Sequence, residues 1–186
     1  MTSQIDKMKN DFLRSQIFSM TMMATGQRGN LYCKDASEEN KEKFRRKLRE
    51  KLEEFALKYR DPIDDELHCA HIESLSSDIS EACKETLTDK RFRIGSAQKA
   101  LNLYLKYLWC LGILRNPPPH CPFDRIILQD ILKFSDEKWT QVDDIAKYKV
   151  WVEKAKDQAK KKKMTIAEWE LELYNKALMR QDDTGE

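Results

Sequence analysis

Lys99, Asn102 and Lys106 stand three and four residues apart in the segment Arg91 to Gly112, most of whose helix is apolar on nearly every side. At helical pitch they share one face. An ammonium in apolar surroundings must meet water, an acid or a ligand, because burying it alone is costly. Desolvation or a neighbouring cation can also turn such an amine into a nucleophile. The stripe therefore reads as the lining of a cleft, or as two long side chains whose heads reach a surface groove. Downstream, Pro118-Pro119-His120-Cys121-Pro122-Phe123-Asp124 delivers an acid to the head of the next apolar stretch. A helix N-terminus favours negative charge there. Asp124 is thus either a simple N-cap or an acid held opposite the lysine stripe.

A glycine-containing turn, a lysine at the head of an apolar helix and a proline-flanked aspartate together resemble the helix-hairpin-helix DNA glycosylases. The resemblance covers about residues 91 to 128. It implies Gly95 in a hairpin whose amides grip a DNA phosphate. It implies Lys99 as the nucleophile that forms a Schiff base with the sugar carbon, and Asp124 as the acid that assists it. Such enzymes extrude the target base into a pocket. Arg91, Arg93, Asn102 and Lys106 then become nucleic-acid contacts. The chain departs from the family in two places: Arg93 stands where the first hairpin glycine usually is, and Lys99 follows Gly95 by four residues instead of two.

Other constellations compete. Arg115 and His120 have the spacing of the Arg-x4-His signature of HEPN ribonucleases, in which paired motifs cleave RNA by acid–base and electrostatic assistance. Three prolines inside the motif favour a loop where that family has a helix. His68 and His71, with His120-Cys121, offer side chains that zinc uses, but paired Cys-x2-Cys spacing is missing. Trp139, Tyr148, Trp151, Trp169 and Tyr174 lie among lysines, as in surfaces that stack single-stranded nucleic acid. Their three- to four-residue spacing fits a helical core better.

These residues need helices to position them. Ile5 to Met23 has helical spacing and ends at Gly26 and Gly29. Phe44, Leu48, Leu52, Phe55 and Tyr59 predict an amphipathic helix over 38–59 with a solvated basic and acidic face. Residues 63–87 read as one or two helices and 95–114 as the most apolar one, broken by the prolines at 117–119. A short helix or helix-like turn follows from Phe123 to Phe134. Thr140-Gln141-Val142-Asp143 resembles a capping box for a helix to about Ala159, and Thr165-Ile166-Ala167-Glu168 caps a last one to about Met179. Lys160 to Lys163 is a charge run between helices.

Composition agrees with this layout. With 40% hydrophobic and 35% charged residues and only five glycines and five prolines, turn chemistry is too scarce for an all-β fold. The expectation is an all-α, compact orthogonal bundle of about six to seven helices forming one domain over residues 1–186. A net charge of +2 demands no polyanion, though local basic clusters, including Lys160 to Lys163, can meet phosphates. Five irregularly spaced cysteines and an N-terminus without a basic-then-apolar pattern suggest reduced thiols and a cytoplasmic protein. No run is long enough to span a bilayer. No nucleotide-cofactor motif, serine-hydrolase elbow or metal-ligand spacing stands out, so no cofactor and no metal are expected. Two functions follow: a nucleic-acid-interacting, glycosylase/lyase-like domain acting on DNA ahead of RNA, or a non-catalytic helical adaptor whose central helix is core.

Overall fold

The computed structural model describes residues 3–26 and 31–182. Six α-helices carry it: α1 (Gln4–Gly26), α2 (Glu38–Lys58), α3 (Asp65–Cys83), α4 (Ile94–Cys110), α5 (Ile145–Lys161) and α6 (Ile166–Asp182). A π-helical turn spans Ile126–Ile131, and one isolated bridge, Tyr32 to Leu87, is the nearest approach to a sheet among the described residues. The fold is compact and all-α. Gly29 and the segment after Asp182 lie outside the described residues.

Helix α4 runs through the middle and packs against α1, α2, α3 and α5. Its burial follows from its composition, since Ala97, Ala100, Leu101, Tyr104, Leu105 and Leu108 leave apolar surface on nearly every side. Phe44, Leu48, Leu52 and Phe55 of α2, Ile72, Leu75 and Ile79 of α3, and Tyr148, Trp151 and Ala155 of α5 complete the core around it. The interleaved aromatics Trp139, Tyr148, Trp151 and Trp169 are core residues, whereas Tyr174 is exposed.

Local signals set most helix ends. Ser37 accepts from the Asn40 N–H, Asp64 from Leu67, and Thr165 exchanges hydrogen bonds with Glu168. Residues 65–83 form one helix. Helix α4 ends well before the prolines: Gly112 adopts a positive φ, its N–H bonds to the Trp109 carbonyl, and the Ile113 N–H bonds to Leu108.

The expected capping box at 140–143 does something else. Trp139–Gln141 is a tight turn, α5 starts at Ile145, and its cap is Asp144, which accepts from the Ala146 N–H. Asp143 instead caps α4 from a distance: its carboxylate accepts the Ile94 N–H at 3.1 Å and the Arg91 Nε–H at 2.7 Å. The neighbouring Val142 carbonyl accepts the Gly95 N–H at 2.8 Å. A tertiary partner thus supplies what the non-capping Arg93 cannot.

Candidate functional site

The polar face of α4 is buried along its length. Gln98, Lys99, Asn102 and Lys106 are all at or below 8% exposure. Each finds a partner inside the protein. The Gln98 amide pairs with the Phe123 backbone, donating to its carbonyl at 2.8 Å and accepting its N–H at 3.1 Å, which fixes the chain as it leaves the proline turn. Lys99 donates to Asp124 at 3.1 Å, and the other oxygen of Asp124 caps the Ile127 N–H. Lys106 reaches both oxygens of Glu170 on α6, at 2.7 and 2.9 Å, and lies over the Tyr174 ring.

Asn102 anchors a longer network. Its amide nitrogen donates to Gln98 and to the Tyr148 hydroxyl, so its oxygen must accept, and it does so from His68 Nε2 at 2.7 Å. That fixes the His68 tautomer and leaves Nδ1 to accept from the Tyr59 hydroxyl at 2.6 Å. The Tyr59 oxygen is then free to accept from His71 Nδ1 at 3.1 Å. On the other side the Tyr148 hydroxyl, already an acceptor, donates to His120 Nδ1 at 2.7 Å, and His120 Nε2 donates to Asp65 at 3.1 Å. Lys156 closes the chain on Asp65. All three histidines therefore belong to one directional set of hydrogen bonds, and it is satisfied only while His68 and His120, whose Nδ1 atoms accept from tyrosine hydroxyls, are neutral. The rings of His68 and His120 meet edge to face, with centroids 4.5 Å apart.

The electrostatics match. Burial pushes His68 well below its ordinary value and His120 below it, and Asp65 offsets the shift of His120 only in part. Burial pushes Asp124 up, but the Lys99 charge and the Ile127 N–H outweigh it and hold the carboxyl low. Burial pushes Glu170 up more than Lys106 pulls it down. The Cys121 thiol, within range of both lysines and both acids, is raised well above its ordinary value by burial, so it is a poor source of thiolate.

Comparison with protein families, with curated proteins and with solved structures finds no match to this chain.

The residues singled out from the sequence are placed as follows. Lys99 and Asp124 are brought together as an ion pair, with Lys99 buried. Asn102 and Lys106 have internal partners. Gly95 is not in a hairpin: it lies in the first turn of α4 with its N–H given to Val142, and a Cβ there would lie 1.6 Å from the Trp139 carbonyl oxygen. Its amide is therefore spent inside the fold, and glycine is required by the close approach of that carbonyl. Arg91 is paired with Asp143 and Arg93 with Asp89. Arg115 is exposed while His120 is fully buried and bonded to Tyr148 and Asp65, so the Arg-x4-His spacing does not converge on one surface. Every ring nitrogen of His68 and His120 has a hydrogen-bond partner, and no group of three or more His, Cys, Asp or Glu side chains converges as a metal site among the described residues. All five cysteines are unpaired. No helix among the described residues is long and apolar enough to cross a membrane.

Sequence reasoning missed Gln98, His68, Tyr59, Tyr148 and Glu170 as members of this polar interior. A signal existed for Gln98, one helical turn before Asn102 on the same face. The others come from distant elements, and only the rule that a buried lysine or amide needs a partner announced that they must exist.

Proposed function

We propose that this chain is a non-catalytic helical interaction domain, whose polar interior fixes one arrangement of the helices. The observation that supports this is the complete internal engagement of the α4 stripe. A nucleophilic lysine needs a free lone pair and a path for its substrate. Lys99 is buried and gives its ammonium to Asp124. An oriented polar interior of this kind favours a single packing, because every alternative leaves donors or charges unpaired.

The competing proposal is the DNA glycosylase/lyase. Borohydride trapping against a panel of abasic and damaged duplexes separates the two. The interaction domain gives no covalent adduct, and Lys99→Gln lowers stability. An adduct that disappears in a normally folded Lys99→Gln variant would establish the lyase instead.

A nucleic-acid contact without catalysis has one observation in its favour. Lys160 and Lys163 are exposed, have no carboxylate partner among the described residues, and border a surface depression of about 500 Å3 with Lys156, Pro119, Met164 and Thr165. Phosphate contacts there predict binding that weakens steeply with salt. Salt-insensitive binding, or none at low salt, removes this reading.

A further inference from the structure

The chain's positive charge is concentrated at one place. Residues 154–163 hold six lysines against one aspartate, although the whole chain is only +2, so everything outside this segment is net negative. The segment is the second half of α5 and its exit toward α6. Lysines in a last helical turn offset the carbonyl end of the helix dipole, which accounts for some of them. It does not account for Lys163. Helix α5 ends in a Schellman turn, in which the Met164 N–H bonds to the Ala159 carbonyl and the Lys163 N–H to that of Lys160. Lys163 takes the left-handed position of that turn, with φ at 56°, where glycine is the favoured residue. A lysine there costs stability and keeps an ammonium on the rim of the depression of about 500 Å3 beside it.

That depression has a charged rim and an apolar floor. Lys156, Lys160 and Lys163 border it, Pro119, Met164 and Ile166 contribute apolar surface, and no acidic side chain lines it. The nearby carboxylates are already engaged: Asp65 with Lys156 and His120, Glu168 with Thr165, and Glu172 with Lys162 and Lys176. Lys160 and Lys163 are left exposed, without a carboxylate partner among the described residues. Charge therefore selects an anionic occupant, and the floor selects one that also carries an apolar side chain. A nucleic-acid strand fits less well. No aromatic ring lines the depression for a base to stack on, since Trp151 and Trp169 of the same two helices are buried, and no arginine offers a fork to a phosphate. A bilayer surface, being flat, spans a concavity without filling its floor.

We infer that this depression is a docking site for an acidic segment of a partner protein, with one aliphatic side chain seated on the floor and carboxylates meeting Lys160 and Lys163. The lysines steer the segment in, and the buried aliphatic anchor sets which segment stays. The inference rests on the interaction-domain reading and names the class of its partner.

The test is fluorescence anisotropy on the full chain with a labelled Asp-Glu-Asp-Leu-Asp-Glu-Asp peptide. The same peptide with serine in place of leucine, and a single-stranded oligothymidine of equal charge, are titrated beside it. The leucine peptide binds about tenfold more tightly than the serine peptide, the ratio expected from burying much of one leucine side chain. Lys160→Glu abolishes binding, and Met164→Gln brings the leucine peptide down to the affinity of the serine peptide. Lys163→Gly separates docking from folding. It removes a rim charge and relieves the left-handed backbone, so it weakens the peptide several-fold while raising the urea midpoint. Equal affinity for the two peptides overturns the proposal, as does full affinity in Lys163→Gly. So does oligothymidine binding more tightly than the leucine peptide at matched salt, or no peptide binding at low salt. Absent peptide binding leaves the non-catalytic reading standing, because that reading rests on the engagement of Lys99, and only a trapped Lys99 adduct removes it.

Discussion

Lys106 on α4 and Glu170 on α6 form a two-oxygen ion pair at 2.7 and 2.9 Å in which both side chains are less than one-tenth exposed. The pair ties the last helix to the central one. It also explains how a lysine sits two turns along an apolar helix from Lys99 without destabilising the core: each buried charge has its counter-charge.

Removing one member leaves the other buried and alone. Glu170→Leu or Lys106→Met alone is expected to cost about 3–5 kcal/mol, and the two together to cost much less than the sum of the single changes. Chemical denaturation of the four proteins measures this. Additive effects would show that the two side chains do not share an interaction in solution.

The histidine network sets a direction for pH dependence. All three histidines are held below their ordinary value of 6.5, chiefly by burial. Protonating His68 or His120 also removes the acceptor that Tyr59 or Tyr148 needs. The unfolded chain thus takes up protons that the folded chain refuses. This stability is complete above the ordinary histidine value and is lost as pH falls through and below it. Glu170, held above 4.5, works in the opposite sense, with at most one proton against three. Asp65 and Asp124, held below 3.8, add further loss only in stronger acid. The urea midpoint should fall between pH 7 and pH 5, with a slope of up to about 1.4 kcal/mol per pH unit for each histidine. An unchanged midpoint would show that the histidines titrate as freely in the folded chain as in the unfolded one.

Gly95→Ala reverses the usual sign of a helix substitution. Alanine is ordinarily better than glycine inside a helix by about 1 kcal/mol. Here its Cβ meets the Trp139 carbonyl, a backbone atom that cannot swing away, so a net loss of about 1–3 kcal/mol is expected. A variant with a raised melting temperature would mean that the segment carrying Trp139 is not seated on α4.

By itself the sequence determined that the chain is all-helical and which helix is central. Periodicity and caps are local, and residues such as Phe44, Leu48 and Leu52, or Ser37 and Thr165, act within one or two turns of themselves. It also placed the polar stripe on one face of α4 and marked Asp124 as the acid near it, because spacing along a helix fixes direction. Only the tertiary structure decided what meets that stripe. His68, Tyr148 and Glu170 come from 34, 46 and 64 positions away along the chain, and hydrogen-bond partners at such distances leave no periodic trace. The same holds for Asp143, which looks like part of a local capping box and instead caps α4 across 49 positions. Burial of Lys99 and engagement of the Gly95 amide belong to this class. Both depend on which elements pack over them, and packing is a property of the assembled core.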